Sequence, residues 1–323
     1  MSLLALAAIG GTIALPPAEP AELPEPQCQR ELVVLGAGQD AGAPQIGNFS
    51  DNGPYLYPSS LGLIDRENGQ RFLFDATPAI TRQLADLEQA TRTDRSTPPE
   101  PGLRIDGIFL THAHIGHYLG LAYLGREAAG AKDVPVFAMP RMAQFLRSNG
   151  PWSQLVELGN IAITEMAEGQ FAVLSDEFGV LPLTVPHRDE YSETVGFLIM
   201  TPDKRAIYMP DLDSWDEYAE ASGSSLEELV AGADNLFIDA TFWDDNELAG
   251  RDMSEIPHPR VKATMDRLQT LPDTERAKVH FIHYNHTNPI RDPHSEQSRE
   301  VEARGFNVAR RGDRVCLSEP REE

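Results

Sequence analysis

The sequence has few cysteines, little positive charge for its acid content and no long apolar run. Cysteine occurs only at Cys28 and Cys316, which is too few for a disulfide framework or a cysteine-built zinc site. The two could still pair with each other, because the ends of a domain often lie close together. No apolar run reaches the roughly 18 residues that a membrane-spanning helix needs. An integral membrane protein is therefore excluded.

Positive charge is scarce, since 27 Lys and Arg face 50 Asp and Glu, for a net charge of −23 and a pI near 4.7. A nucleic acid is bound by clustered Lys and Arg that neutralise its phosphates, and a negative field opposes its approach. The hydrophobic fraction of 41% and the charged fraction of 24% are those of an ordinary globular protein. A nucleic-acid partner is excluded, and a small-molecule substrate is expected.

The N-terminus carries a short apolar run, Leu3 to Leu15, followed by a Pro-rich stretch to Pro26. The run has the length of the apolar part of a secretory signal peptide and is too short to span a bilayer. However, no Lys or Arg precedes it. We predict an N-terminal segment and linker over residues 1–30 and a single domain over residues 31–323. Export to the periplasm or secretion is favoured, with a cytoplasmic protein as the alternative.

From Glu31 onward, apolar strands alternate with helical segments. The Gly-rich loop after the first strand does not match a dinucleotide-binding turn, because Pro44 interrupts the helix that should follow. An α/β sandwich of sheets covered by helices is predicted. The predicted strands begin at Glu31 and continue at Ser60–Asp65, Arg71–Asp75, Ile105–Leu110, Val134–Ala138, Ile161–Thr164, Val180–Val185, Thr194–Met200, Ala206–Met209, Asn235–Ile238 and Lys278–His283. The predicted helices are Pro78–Leu87, Leu121–Ala131, Pro140–Arg147, Ser225–Gly232 and Pro259–Leu271.

Three histidines, His112, His114 and His117, lie within six residues directly after the predicted strand Ile105–Leu110. Neighbouring imidazoles gain nothing from packing and repel one another when protonated. A divalent metal explains them, since imidazole is the commonest protein ligand for zinc and related ions. The alternative is a polar loop in which histidines cluster by chance and one caps the following helix.

Compatible ligands follow three later strands. They are His187, Asp211 and His283, each placed where an apolar strand stops. Strand-end loops on a rigid scaffold can direct several side chains to one point. The sequence therefore predicts a metal centre assembled from four strand ends.

Asp75, Asp239 and His258 can each be interpreted in two ways. Asp75 and Asp239 could orient a metal-binding histidine through its other ring nitrogen, or could simply cap strand ends. His258 could contact the substrate, but a surface position at a helix start is favoured. His280 and His294 are predicted to be structural or solvent-facing.

The order of these residues resembles the metallo-β-lactamase-fold hydrolases. Their signature is H-x-H-x-D-H after a strand, then a single His, a single Asp and a last His at successive strand ends. The resemblance covers Glu31 to Cys316. It implies an α/β fold of the metallo-β-lactamase-like αββα sandwich type, with two mixed sheets packed face to face and helices outside. It includes the segments Leu35–Gly38, Phe72–Pro78 and Tyr208–Asp211.

Within that superfamily, the chain is similar to the branch of pyrroloquinoline quinone biosynthesis protein B. The similarity lies in Thr77-Pro78, in Pro257-His258-Pro259, and in Phe281–Pro289, which resembles the branch's closing His-x-Asn-x-Thr-Asn-Pro segment. Many branch members carry cysteines after the first Gly-rich loop, where this chain has Gln45–Asn52. No structural zinc is therefore expected there.

The resemblance implies two metal positions. The ligands of the first would be His112, His114 and His187, and those of the second His117, His283 and a bridging Asp211. The implied catalytic residues are Asp211 and His283, acting with a metal-bound water that ionises near neutral pH. The expected cofactor is zinc, one or two ions. Iron(II) is the alternative, because two histidines and a carboxylate also suit that ion.

Gly116 departs from the signature, which has at this position the aspartate that binds the second metal. Its absence leaves the second position short of one anionic ligand. His286, Asp213 and His258 are candidates for additional ligands. We expect Gly116→Asp to raise the occupancy of the second metal, and His114→Ala to lose bound metal and activity together.

Three functions are compatible with this centre. The first is a metal-dependent hydrolase that uses a metal-bound hydroxide on a small ester, amide or phosphodiester. The second is an iron-dependent oxidoreductase in the biosynthesis of a quinone cofactor, as the branch resemblance implies. The third is a ligand-binding relative whose altered second site has cost it catalysis.

Overall fold

The computed structural model describes residues 28–92, 101–175 and 178–320. The apolar run Leu3–Leu15, predicted as part of an export signal, lies outside the described residues. No described helix combines the length and the apolar character needed to cross a membrane.

Within these residues the strands form two seven-stranded sheets. The first sheet contains β1 (Arg30–Gly36), β2 (Ser60–Asp65), β3 (Gln70–Phe74), β4 (Gly107–Phe109), β5 (Val134–Ala138), β6 (Ile161–Glu165) and β14 (Arg314–Ser318). The second contains β7 (Ala172–Ser175), β8 (Phe178–Thr184), β9 (Val195–Met200), β10 (Arg205–Met209), β11 (Asn235–Asp239), β12 (Val279–Ile282) and β13 (Asn307–Val308).

Both sheets are mixed in the same way. In the first, the order is β14-β1-β2-β3-β4-β5-β6, with antiparallel pairing up to β3 and parallel pairing from β3 to β6. In the second, the order is β13-β12-β11-β10-β9-β8-β7, with parallel pairing from β13 to β10 and antiparallel pairing beyond. Each sheet therefore has a block of parallel strands whose carboxyl ends share one edge, the usual place for a ligand site.

Helices cover the outer faces of the sheets. They are α1 (Ile80–Thr91), α2 (Ile115–Tyr118), α3 (Pro140–Ser148), α4 (Trp152–Glu157), α5 (Trp215–Ser222), α6 (Leu226–Gly232), α7 (Val261–Leu268), α8 (Asp273–Arg276) and α9 (Glu296–Ala303). Local chemistry sets several of their ends. Ser225 and Glu228 form a capping box at the start of α6, and Gly223 takes the left-handed conformation that ends α5.

The described core forms two apolar clusters, and β1 contributes to both because its side chains alternate. Leu32 and Val34 belong to the cluster that joins the two sheets, whereas Val33 and Leu35 belong to the cluster between the first sheet and its helices. Successive strand residues point to opposite faces, so a strand buried on both sides is apolar throughout. The layer between the sheets is rich in aromatic rings. Its close pairs include Phe109 with Phe137 and with Phe74, at centroid distances of 4.3 and 5.1 Å.

One predicted helix is wrong. The segment Leu121–Ala131 forms a short 3₁₀ helix over Leu119–Leu124 and then turns. Gly120 packs so tightly that a Cβ there would lie 2.2 Å from the carbonyl oxygen of Thr77. Gly130 has a φ of 54°, a left-handed conformation that does not occur inside a right-handed α-helix. The glycines thus serve turns and close packing, and they interrupt the helix.

The two cysteines form a disulfide. Strand β14 pairs antiparallel with β1, and its register places Cys316 opposite Glu31. Cys28, just before β1, therefore meets Cys316 with the two Cα atoms 5.7 Å apart. The open question from the sequence is answered by sheet pairing between the two ends of the described chain.

We predict that Cys28→Ser lowers the free energy of unfolding by about 2–4 kcal/mol, because the cross-link restricts a very long loop in the unfolded chain. Urea unfolding of the non-reduced protein measures the change. Wild type treated with reductant should match the variant. Equal stability of the variant and the untreated wild type would contradict the prediction.

Candidate metal centre

The predicted ligands meet at the carboxyl edge of the two parallel blocks. His112, His114 and His117 follow β4, and His187 follows β8. Asp211 follows β10, and His283 follows β12. Three groups of nitrogen and carboxylate donors have all their atoms within 4.8 Å of one another. They are His112 with His114 and His187, His112 with His117 and Asp211, and Asp211 with Asp239 and His258.

The Asp211 carboxylate lies at the middle of this arrangement. Its Oδ2 is 3.1 Å from Nε2 of His117, 3.2 Å from Nε2 of His283 and 3.5 Å from Nε2 of His112. Its Oδ1 is 3.8 Å from Nε2 of His187. Two ligands of one tetrahedral zinc ion stand about 3.4 Å apart, as metal–donor distances near 2.1 Å require. The spacing therefore suits shared coordination.

Unpartnered nitrogen atoms give an independent test of this fit. The Nε2 atoms of His112, His117 and His283 are buried and form no well-aligned hydrogen bond, although the Asp211 carboxylate lies within 3.5 Å of each. Each of the three residues is only 1% exposed. A buried polar atom without a partner is costly, and an ion is one of its recognised explanations. The residues present thus fit a divalent cation.

The other ring nitrogen of each inward-facing histidine is held by a neighbour. Such outer contacts fix the ring orientation of a metal ligand and choose its tautomer. The Nδ1 contacts are His112 with Thr111 Oγ1 at 2.9 Å, His117 with Asp75 Oδ2 at 2.8 Å, His187 with Asp213 Oδ1 at 2.8 Å and His283 with Thr241 Oγ1 at 3.1 Å. Asp75 thus has the orienting role that the sequence suggested, and Asp213 contacts a histidine from outside.

His114 has the opposite orientation. Its Nδ1 lies 3.3 Å from Nε2 of His187, and its Nε2 lies 3.1 Å from Oε2 of Glu190. Glu190 was not among the sequence candidates. It lies in the loop before β9, three residues after His187, and only the fold shows that this loop crosses His114.

His258 contradicts the prediction of a surface position. It is 8% exposed, and its Nδ1 lies 2.8 Å from Oδ2 of Asp239 and 3.5 Å from Oδ1 of Asp211. The helix that His258 was expected to start, α7, begins three residues later. The backbone of His258 has a φ of 140°, a conformation that turns the residue inward between its two prolines.

The remaining candidates lie apart. His286 is half-buried, its Nδ1 is 2.6 Å from Oδ1 of Asn285, and none of the described donor groups includes it. His280 stacks on Phe237 at 4.8 Å, and burial lowers the pKa of His280 to about 4. His294 is exposed. The last two agree with the structural and solvent-facing roles predicted for them.

The pKa values of the histidines at the centre are shifted in opposite directions. Burial, and then the neighbouring imidazole of His117, hold the pKa of His112 well below its usual range. Burial likewise lowers the pKa of His283. For His117, burial alone acts in the same direction, but the charges of Asp75 and Asp211 outweigh it and raise the pKa to about 10. Burial opposes ionisation of Asp211, yet the surrounding histidines keep the pKa of its carboxyl well below the ordinary value.

Gly116 cannot carry the missing aspartate in this backbone. A Cβ at Gly116 would lie 2.5 Å from the carbonyl oxygen and 2.7 Å from the Cα of Asp40. Main-chain atoms at those distances cannot be displaced by a side-chain rotation. The expectation that Gly116→Asp raises the occupancy of a second metal is therefore contradicted by the packing of the loop that contains Asp40.

A cavity of about 590 Å³ lies beside the segment that follows His283. Its wall includes Asn285 and His286, which directly follow the ligand candidate His283. The side chain of Glu247 accepts a hydrogen bond from the Trp243 amide at 2.6 Å and another from the Thr287 hydroxyl. Lining residues include Gln39, Asp40, Phe242, Glu247, Arg251 and His286.

A family model described as "Beta-lactamase superfamily domain" matches residues 70–284, more than half of the chain. The chain belongs to the beta-lactamase superfamily. The matched residues include every residue of the three donor groups. The resemblance that the sequence motifs carried is confirmed.

Curated relatives in this superfamily include coenzyme PQQ synthesis protein B of Methylorubrum extorquens, which is 27% identical over 87% of this chain and 98% of the relative. The same protein of Methylococcus capsulatus is 27% identical over 88% of this chain and 99% of the relative. The similarity to the pyrroloquinoline quinone biosynthesis protein B branch is thereby confirmed.

Two solved structures confirm the αββα fold. Zn(2+)-bound PqqB from Methylobacterium extorquens gives a TM-score of 0.69 at 21% identity, over 89% of this chain and all (100%) of that one. A diphosphatase from the PhnP family gives a TM-score of 0.61 at 22% identity, over 89% of this chain and 98% of that one.

We predict that divalent metal binding releases a proton from His117, because a coordinating imidazole must be neutral. The apparent affinity for Zn²⁺ should rise about tenfold per unit between about pH 6 and 8. Calorimetric titration in buffers of different ionisation enthalpy counts the protons. Asp75→Asn should release fewer, since Asp75 helps to raise the His117 pKa. Zn²⁺ uptake by the wild type without proton release would contradict this.

Glu247 generates a second prediction. Burial raises the pKa of the Glu247 carboxyl from 4.5 to about 7. The carboxyl proton of Glu247 is therefore bound more tightly in the folded state than in the unfolded state. The resulting stability is present below the unfolded pKa and is lost as the pH rises through about 7. We expect Glu247→Gln to flatten the pH dependence of unfolding across this window. Urea unfolding at several pH values tests it, with the exposed Glu255→Gln as control; an unchanged pH profile would refute it.

Proposed function

We propose that this chain is a metal-dependent hydrolase of a small substrate. The observation that carries the proposal is the convergence of three buried, unpartnered imidazole nitrogens on the Asp211 carboxylate. A structural histidine cluster would satisfy these nitrogens with hydrogen bonds. Here the satisfied nitrogens are the outer ones, which leaves the inner ones available for a ligand.

The residues that would hold metal ions fall into two sets, and Asp211 of the second lies 3.8 Å from His187 of the first. The first set is His112, His114 and His187, and the second is His117, His283 and Asp211. Nitrogen and carboxylate donors of this kind suit zinc, and they also accept iron(II). A divalent ion, when bound, lowers the pKa of a coordinated water and polarises the oxygen under attack.

The remaining side chains at the centre would orient groups and hold protons. Asp75, Asp213 and Thr241 keep the imidazoles pointing inward. Burial lowers the pKa of His258, but the adjacent Asp239 outweighs it and raises the pKa above the usual value. His258, held by Asp239 at 2.8 Å, would be placed to donate a proton to a leaving group at the centre.

The cavity beside the segment that follows His283 would suit a small molecule. Its volume of about 590 Å³ lies within the range of small-molecule pockets, roughly 300–1,000 Å³. The wall combines apolar side chains such as Phe242 and Leu248 with polar ones such as Asn285 and His286. A small ester, amide or phosphodiester with one apolar part would match this lining.

A second candidate function comes from the relatives. Proteins named coenzyme PQQ synthesis protein B match this chain over most of both lengths. An iron-dependent oxidoreductase in the formation of a quinone cofactor would use the same nitrogen and carboxylate donors. A ligand-binding protein without turnover is the third candidate. The identity of the bound metal separates the first two, and turnover separates both from the third.

We also propose that the protein works in the periplasm or outside the cell. The disulfide between Cys28 and Cys316 supports this, because disulfides persist in oxidising compartments and are rare in the cytosol.

Elemental analysis of protein purified without added metal, combined with assays on ester, phosphodiester and lactam substrates, tests the function. Two zinc ions per chain with turnover would support the hydrolase. One iron ion without hydrolysis would contradict it and favour the oxidoreductase.

We expect His114→Ala to reduce bound metal and turnover together, because it removes a nitrogen donor from the first set. His294→Ala makes the same substitution at an exposed position and should change neither. A His114→Ala protein with a full metal complement would show that this ligand assignment is wrong.

A further inference from the structure

The second donor set has fewer imidazoles than the first. It contains His117, His283 and Asp211, whereas the first set has three imidazoles. Gly116 provides no side chain at the position where the superfamily signature has an aspartate. A second dication there would have little negative charge to offset its own.

Asp40 occupies the space that a side chain at position 116 would need. The carbonyl oxygen, Cα and carbonyl carbon of Asp40 lie 2.5, 2.7 and 2.9 Å from the point where a Cβ of Gly116 would stand. Because Gly116 directly precedes His117, this contact holds the main chain of Asp40 beside the second set. The glycine is what permits the close approach.

The position of Asp40 is fixed from both sides. The amide of Gln39 donates to the carbonyl of Tyr284 at 3.0 Å, next to His283. The amide of Gly42 donates to the carbonyl of Gln39 at 2.8 Å and closes a turn around Asp40. The turn thus bridges the segments that carry His117 and His283.

The backbone of Asp40 shares an uncommon conformation with the centre. Five non-glycine residues in the described part of the chain have positive φ, and three of them, Asp75, His258 and His283, belong to the centre. Asp40 is a fourth, with a φ of 47°. Such conformations are retained where the surrounding structure imposes them, often at functional sites.

The carboxylate of Asp40 is free to act. Asp40 is exposed and makes no side-chain hydrogen bond or ion pair with the described residues. Close by, the Nε2 atoms of His117 and His283 are buried without hydrogen-bond partners. The main chain that carries this unpaired carboxylate is thus held beside His117 and His283. The carboxylate is not among the grouped donors, so it would reach the two nitrogens by a rotation of the Asp40 side chain.

We propose that Asp40 supplies the carboxylate that Gly116 lacks and completes a divalent-cation site with His117, His283 and Asp211. The proposal rests on the metal binding inferred for this centre and deepens it. A carboxylate from a separate loop would replace the one in the histidine motif, with the glycine making room for that loop. The negative charge of Asp40 would then offset the second cation.

The test is the binding of Zn²⁺ to the full-length protein and to Asp40→Asn. Asparagine tolerates the left-handed backbone and keeps the size of the side chain, so the variant should fold like the wild type. We expect two ions to bind the wild type and the second ion to bind Asp40→Asn at least about tenfold more weakly. The affinity of the first ion should stay unchanged. Calorimetry and metal analysis after gel filtration measure both.

A second variant and a charge control complete the design. Asp40→Ala should show the same loss, which excludes coordination by the asparagine amide. Glu168→Gln removes one charge from an exposed residue between β6 and β7 and should retain both ions. The visible spectrum of the Co²⁺-loaded protein reports the geometry of the second site directly and should change in the Asp40 variants alone.

The possible failures are distinguishable. If the wild type binds no divalent cation, the proposed function fails, and this inference with it. If the wild type binds two ions and both Asp40 variants retain the second at wild-type affinity, the assignment of Asp40 is overturned while the metal centre stands. A wild type that binds only one ion would also overturn it.

Discussion

The burial of one carboxylate among five imidazoles is the constraint on which the rest of this structure depends. Asp211 is 4% exposed, and an isolated buried charge of that kind strongly destabilises a fold unless other groups compensate it. Four of the five imidazoles come from the ends of β4, β8 and β12, and His258 comes from the segment before α7, so strands of both sheets must finish at one place. The parallel blocks of the two sheets provide that common edge.

The aromatic core and the centre form one continuous structure. The hydroxyl of Tyr208, in the layer between the sheets, donates to Asp75 at 3.2 Å, and Asp75 in turn holds His117. The Thr111 amide also donates to Asp75, at 2.9 Å. The orientation of an imidazole at the centre therefore depends on packing within the sandwich, which explains why a centre built on loops can be well defined.

Membership of the beta-lactamase superfamily establishes the scaffold, whereas the chemistry depends on particular side chains. Gly116 illustrates the difference. In the sequence motif it is a lost ligand, but in the fold it is the position that lets the turn around Asp40 approach His117. A departure from a family signature can thus reflect a change in where a ligand comes from as well as its loss. The inward position of His258 similarly depends on the chain around its two prolines.

The sequence by itself determined most strands, the order of the histidine motif and the later ligands, and the superfamily. These follow from patterns within short segments, such as buried apolar runs that end at polar residues. It did not reveal that His258 is buried, that Glu190 contacts His114 or that a turn is formed around Asp40. It also predicted a helix over Leu121–Ala131 that the structure does not contain. Those features are contacts between segments far apart in the chain, and local periodicity carries no information about which distant loops meet. They depend on how the folded chain brings these segments together.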